Sequence, residues 1–165
     1  MKTPRSLVFA AATLAGLAAG RAPAQTCGPY TLQFTTTGAG CDTSGSGLVP
    51  TLSAAYLPNP TIPTCPVKLT VDTGVVLNPF PVVTLALGPS NPALPLPFLP
   101  GCTLRTTLVD VILFMGQDAG GPTLHSYFFF VPADPALVGA SAYGQAGFAV
   151  PGGIRISNGI RIEFV

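Results

Sequence analysis

The single histidine of the chain, His125, is the residue whose type could serve as a general base near neutral pH. A Ser-His-Asp hydrolase would have to be built around it, but Ser126 is its direct neighbour in sequence and lies too close to act as its nucleophile. The chain also lacks a Gly-x-Ser-x-Gly elbow. We therefore expect His125 to be a structural residue, and a cryptic hydrolase is only the third hypothesis for function.

The six acidic residues are a second possible source of chemistry, as a carboxylate pair for glycoside hydrolysis. They are Asp42, Asp72, Asp110, Asp118, Asp134 and Glu163. No two of them have a spacing that forces their carboxylates together, and most have the sequence context of turn or cap residues. We therefore predict that the protein is not an enzyme.

Asp42 and Asp118 are each followed by small residues and a glycine, which predicts an Asx turn at both positions. Neither segment supplies the repeated oxygen ligands of a known calcium loop, so calcium binding there is left open and no cofactor is predicted. Asp134 precedes Pro135, a pair that predicts a helix N-cap. Asp110 falls within an apolar segment, where we expect it to face solvent.

The four tyrosines are the candidates for a shallow ligand-binding surface: Tyr30, Tyr56, Tyr127 and Tyr143. Carbohydrate-binding domains usually expose aromatic platforms, and the absence of tryptophan argues against a strong one here. Core packing with a hydrogen-bonded hydroxyl is the commoner fate of such tyrosines.

The first 24 residues have the pattern of a signal peptide, with a basic start, an apolar run and the small-x-small site Ala22-Pro23-Ala24. Cleavage after Ala24 would leave residues 25–165 as one domain. The apolar run is shorter than the roughly 20 residues that a membrane-spanning helix needs, and prolines and glycines interrupt every later apolar stretch. We therefore predict a secreted or cell-surface protein without a membrane span after cleavage.

All four cysteines, Cys27, Cys41, Cys65 and Cys102, follow the predicted cleavage site. An even number of cysteines in an exported chain indicates disulfides, and three pairings are possible. A metal site is not predicted, because the chain has neither a Cys-x-x-Cys pair nor a second histidine.

The charge of the predicted mature chain is low. Removing the leader takes away Lys2, Arg5 and Arg21, which leaves four basic residues against six acidic ones and a net charge near −2. Nucleic acid is therefore not an expected partner, because four dispersed cations cannot build a basic patch. Only 8% of the residues are charged while 48% are hydrophobic, so the surface is either covered by Thr, Ser, Pro and Gly or partly buried against a partner.

The order of apolar and turn residues predicts an all-β protein. Helical periodicity is absent after residue 25, and strand signals recur between turns rich in Gly, Pro, Asn and Ser. Pro89 to Pro100 is too rich in proline for a strand and predicts a surface connection. The expected architecture is a single antiparallel β-sandwich, immunoglobulin-like or jelly-roll-like, stapled by disulfides.

Two features of the predicted strands concern register. Tyr127 to Phe130 is so apolar that we expect it in the middle of a sheet with both faces packed. At the C-terminus, a three-residue loop of Ser157, Asn158 and Gly159 would place the isoleucines on one face of a hairpin and Arg155 on the other.

The chain resembles an uncharacterised family of small bacterial secreted domains rich in Gly, Pro and Leu, across nearly the whole predicted mature chain. The matching segments are Gly40-Cys41, Gly47, Pro50-Thr51-Leu52, Leu94-Pro95-Leu96-Pro97, Gly101-Cys102-Thr103-Leu104, Val131-Pro132, Pro135-Ala136-Leu137-Val138-Gly139, Tyr143 with Gln145, and Ser157-Asn158-Gly159. Members with two cysteines keep those that match Cys41 and Cys102. The resemblance therefore implies a bridge between these two and leaves Cys27 to pair with Cys65.

The leading functional hypothesis is a secreted, non-catalytic module for structure, adhesion or surface assembly, with a second copy, another surface protein or a glycan as partner. The alternative is an extracellular ligand- or carbohydrate-binding module. A flat exposed apolar patch would favour assembly, a tyrosine-lined groove would favour ligand binding, and a pocket with His125 or two acids would favour catalysis.

Overall fold

A computed structural model describes residues 25–57, 64–77, 83–107 and 111–165 of the chain. The signal peptide predicted for residues 1–24 and the predicted strand position of Asp110 lie outside these residues.

The described residues form short antiparallel strands joined by turns. The strands are β1 (Gln25–Cys27), β2 (Tyr30–Thr37), β3 (Cys41–Asp42), β4 (Thr51–Tyr56), β5 (Thr64–Asp72), β6 (Val83–Gly88), β7 (Leu94–Pro95), β8 (Thr103–Leu104), β9 (Val111–Gln117), β10 (Leu124–Pro132), β11 (Ser141–Val150) and β12 (Gly153–Phe164). One 3₁₀ turn, Pro135–Leu137, precedes β11, and Asp134 caps it by accepting a hydrogen bond from the Ala136 N–H at 2.9 Å. The predicted N-cap is thus confirmed.

Nearly all the strands belong to one antiparallel sheet, in the order β1-β2-β12-β11-β6-β9-β10-β5-β4, with β3 added beside β12. Strand β4, at one end of this order, meets β12, the third strand from the other end, at Asn158. Its side chain accepts a hydrogen bond from the Leu52 N–H at 2.8 Å and donates one to the Leu52 carbonyl at 2.9 Å. The sheet is therefore nearly closed on itself. The predicted disulfide-stapled, antiparallel all-β fold is confirmed, and its two-layer sandwich form stays a prediction.

The core lies inside this curved sheet and is built from alternate residues of its strands. Leu32, Val67, Leu69, Val71 and Leu85 have no exposed surface. Strict alternation places such side chains on one face of each strand, where each contributes about 1.5–3 kcal/mol by leaving water.

Two disulfides connect distant parts of the sheet, and the described residues hold no free cysteine. Cys27 of β1 pairs with Cys65 of β5, and Cys41 of β3 pairs with Cys102, which precedes β8. The Cα atoms are 5.8 and 5.2 Å apart, within the usual disulfide range. This is the pairing that the resemblance implies.

Strand β10 lies between β9 and β5, in the middle of the sheet as predicted. However, only one of its faces is packed. Tyr127 and Phe129 pack against the core, whereas Phe128 and Phe130 are exposed. The prediction of two covered faces was wrong, because every second side chain of a strand in this antiparallel sheet points away from the core.

The predicted hairpin at Ser157-Asn158-Gly159 is also wrong. Strand β12 runs without interruption through these residues, and the chain reverses earlier, at Pro151 and Gly152. Between the pairs Gly147–Ile156 and Gln145–Gly159, β12 carries one residue more than β11, which is a β-bulge. The extra residue reverses the alternation, so that Arg155 before the bulge and Ile160 after it are both buried.

Candidate functional site

His125, which the sequence analysis expects to be structural, lies within β10, opposite Val71 of β5 and Gln117 of β9. It shares the inner face of the strand with Tyr127. Its Nε2 atom is buried and has no hydrogen-bond partner among the described residues, and burial lowers the pKa of the imidazole. In the described ranges no group of three or more His, Cys, Asp or Glu side chains is arranged to hold a metal ion.

The loop after Asp42 forms the predicted Asx turn, in which the Ser44 N–H donates to Asp42 Oδ1 at 2.9 Å. The hydroxyls of Ser44 and Ser46 donate to the same carboxylate at 2.6 Å, and Arg155 forms an ion pair with it at 3.3 Å. These serine hydrogen bonds, followed by the Arg155 contact, hold the pKa of Asp42 far below its usual range. The Asp42 carboxylate is thus already paired with the Arg155 guanidinium.

Asp118 forms the second predicted Asx turn, with the Gly120 N–H donating to its Oδ1 at 2.8 Å. It also forms an ion pair with Lys68, which is the main reason that its pKa falls to about 2. Both loops considered for calcium therefore have a carboxylate whose charge is already balanced by a cation of the chain, an arrangement that opposes binding of a further cation.

The four tyrosines do not come together on one surface. Tyr30 is buried, donates its hydroxyl to the Pro132 carbonyl at 2.5 Å and packs edge-to-face on Phe164. Tyr56 and Tyr127 pack against the core, and only Tyr143 lies on the outer face, with Arg161 over its ring at 5.9 Å. Three of the four rings therefore have the core-packed position that is commoner for tyrosine, and Tyr143 lies apart from them on the other face of the sheet.

The outer face of the sheet instead presents three phenylalanines, which we call the phenylalanine patch. Phe114 of β9 is 69% exposed, and Phe128 and Phe130 of β10 are 50% and 60% exposed. Strands β9 and β10 are neighbours, and their pair Gly116–Ser126 lies two residues from Phe114 and Phe128. The three rings therefore project from the same side of the sheet. This patch is not predicted from the sequence above, although the alternation within Tyr127 to Phe130 contains the signal for it.

A cation beside this patch, Lys68, is already paired with an acidic side chain of the protein. Lys68 of β5 lies opposite Phe128, with its Nζ 5.4 Å from the ring centroid, and it pairs with Asp118. Because this charge is already paired, the free-energy cost of removing the outer face from water is lower than it would be beside an unpaired cation.

A second apolar feature on the outer face is an open groove of about 480 Å³ between the sheet and the proline-rich segment. We call residues 89–107 the proline-rich arm. Small residues of β6 and β11 form the floor of the groove: Ala86, Gly147 and Ala149. Its sides are leucines of the arm and isoleucines of β12: Leu96, Leu99, Leu104, Ile154 and Ile156. The groove exists because the glycine and alanines of its floor have very small side chains, whereas larger side chains surround them.

The side chain of Gln145 fastens the arm over the sheet. Its Oε1 accepts from the Arg105 N–H at 2.8 Å, and its Nε2 donates to the carbonyls of Thr103 and Ser157 at 3.0 Å. Thr106 adds a hydrogen bond from its hydroxyl to the Tyr143 carbonyl at 3.1 Å. Together with the Cys41–Cys102 disulfide, these contacts position an otherwise irregular segment.

The groove continues toward the phenylalanine patch. Ile156, Gly147, Thr84 and Phe114 are paired in register across the adjacent strands β12, β11, β6 and β9. The outer face is therefore one apolar surface with a groove at one end and exposed rings at the other.

No protein-family description, curated protein or solved structure matches this chain. Within the described ranges, no helix has the length and apolarity needed to cross a bilayer.

Proposed function

We propose that this chain is an exported, non-catalytic module that takes part in surface assembly by docking its phenylalanine patch on another protein surface, in the first place that of a second copy. The observation that carries the proposal is the exposure of Phe114, Phe128 and Phe130 on one side of two neighbouring strands. Because a phenylalanine side chain has about 150–250 Å² of surface, their exposed fractions leave roughly 350 Å² of aromatic surface in water.

A patch of this size is of the order of the largest apolar patch on a typical monomer, which is often functional. It supplies the apolar centre of an interface, while Lys68 and Asp118 supply a balanced polar rim. Stable interfaces bury about 800 Å² on each partner, so surrounding residues of the outer face must join the contact.

Export is the second part of the proposal and rests on the signal-peptide pattern of residues 1–24. Two disulfides are typical of proteins that mature in an oxidising compartment. Secretion or cell-surface display, and a bacterial source, follow from the pattern and the resemblance.

Light scattering coupled to size-exclusion chromatography tests the assembly. We expect the oxidised secreted chain to form a dimer or larger species whose fraction increases with concentration. The double variant F128S/F130S should remain monomeric, because it removes two of the three rings. F98S is the matched control, since Phe98 is 92% exposed but lies on the arm rather than in the patch.

A wild-type chain that stays monomeric at high concentration would remove self-association as the function of the patch. If F98S abolished assembly as fully as F128S/F130S, the contact would belong to the arm and the proposal would be wrong.

The alternative function, an extracellular ligand-binding module, is favoured by a separate observation, the groove beneath the arm. Its volume is within the range of ligand-binding pockets.

A further inference from the structure

The polar side chains that line the groove use their hydrogen-bond donors within the protein. The Thr84 hydroxyl donates to the Gly147 carbonyl at 2.9 Å, and the Thr106 hydroxyl donates to the Tyr143 carbonyl at 3.1 Å. The amide of Gln145 is used on both sides, by the Arg105 N–H and by the Thr103 and Ser157 carbonyls. A ligand rich in hydroxyls would therefore lose its bonds to water on entering and gain few in return.

The lining is also uncharged. Its described residues include no Asp, Glu, Lys, Arg or His. A charged ligand group would lose hydration in the groove without meeting a counter-ion, so the complementary occupant is uncharged and apolar along the buried part of its length.

The shape of the groove limits the occupant further. Its floor is the sheet surface at Ala86, Gly147 and Ala149, and Leu96 and Leu99 of the arm form the opposite side. Because the arm lies beside the floor of the groove, a flat bilayer cannot contact this floor. A single flexible hydrocarbon chain can lie between the arm and the floor. The groove is open to solvent, which leaves room for a polar head group outside it.

From the uncharged lining, the internally used donors and the position of the arm beside the floor, we propose that the groove binds the hydrocarbon chain of one monomeric amphiphile, such as a fatty acid, with its head group in water. This site lies beyond the assembly proposed above and does not depend on it. The phenylalanine patch and the groove share one face but use different residues.

A chain-length series provides the first test. The oxidised secreted chain is titrated by calorimetry with saturated fatty acids of 8, 10, 12 and 14 carbons, each below its critical micelle concentration. Burial of one methylene corresponds to about a fourfold change in affinity. We therefore expect the dissociation constant to fall by roughly 15-fold for each pair of added carbons until the groove is full.

Two groove variants locate the site. In A149F, a phenyl ring occupies the floor, and in L99D, a carboxylate lies on the arm side of the groove; each should weaken binding at least tenfold. The matched controls are A136F and V138D, which place the same side chains at exposed positions on the 3₁₀ turn and just after it, outside the groove lining. These controls should bind as the wild type does, and far-UV circular dichroism checks that all four variants are folded.

The proposal is overturned if no fatty acid binds, if affinity is independent of chain length, or if A149F and A136F bind equally well. It is also overturned if the protein binds phosphatidylcholine vesicles but no monomeric fatty acid, since the occupant would then be a bilayer. F128S/F130S separates the two proposals: loss of assembly with unchanged fatty-acid binding shows that the groove acts independently of the patch.

Discussion

Asn158 joins β12 to β4, the end strand of the nearly closed sheet, so the substitution N158A tests the fold at its closing point. The side chain makes hydrogen bonds of 2.8 and 2.9 Å to the backbone of Leu52 and a third, of 3.0 Å, to the Gly159 carbonyl. Leu52 and Asn158 are both buried. Alanine would therefore leave one N–H and one carbonyl of Leu52 without these partners inside the protein.

Each buried polar group that loses its partner costs about 1–3 kcal/mol. For the two groups of Leu52 we expect the free energy of unfolding to fall by roughly 2–6 kcal/mol, a large part of the 5–15 kcal/mol of a typical domain. In a domain of this size each kcal/mol lowers the melting temperature by about 2–4 °C, so Tm should fall by about 4–24 °C.

Urea unfolding of the oxidised protein, followed by far-UV circular dichroism, measures the change; tryptophan fluorescence cannot be used because the chain has none. N91A is the matched control, since the Asn91 side chain accepts a single exposed hydrogen bond, of 3.2 Å, from the Ala93 N–H. We expect N91A to change stability by less than about 0.5 kcal/mol. If N158A destabilises the protein no more than N91A does, Asn158 does not hold the sheet closed and this reasoning is refuted.

Two further predictions concern local contacts. The pKa of Asp118 falls from 3.8 to about 2 in the folded protein, so the contribution of this carboxylate to stability is present above about pH 4 and is lost as the pH falls toward 2. In urea titrations at different pH values, D118N should therefore flatten the dependence of the free energy of unfolding on pH between 4 and 2. An unchanged slope in D118N would contradict the assignment. In G40A, the added Cβ would lie 2.5 Å from the Ile156 carbonyl oxygen, so we expect the free energy of unfolding to fall by about 1–3 kcal/mol. G116A is the control, because a Cβ added at Gly116 has no described neighbour within 4 Å.

Much of the local structure could be predicted from the sequence. The Asx turns at Asp42 and Asp118 and the cap at Asp134 each depend on residues within a few positions of the aspartate, and all three form. The strand at Tyr127 to Phe130 could also be predicted, because strand preference depends on residues that are adjacent in the sequence. Its exposed face was not, because exposure depends on what covers the sheet rather than on the strand itself.

Long-range contacts explain the remaining differences. Arg155 looked like a solvent-facing strand residue, yet it is buried because Asp42, Ser44 and Ser46 surround it from more than 100 positions away. The bulge at Ser157 and Asn158 was interpreted as a turn, because the same residue types favour both structures. Only the pairing with β11 and the contact with Leu52 distinguish them.

The sequence alone therefore determined the all-β class and the turn and cap residues, since these follow from alternation and from side-chain bonds to adjacent backbone. The tertiary structure decided which side chains reach the outer face, where the arm docks and where a groove remains open. The physical reason is that the patch and the groove are formed by residues far apart in the chain, from Thr84 to Ile156, which only the pairing of β6, β9, β11 and β12 brings side by side.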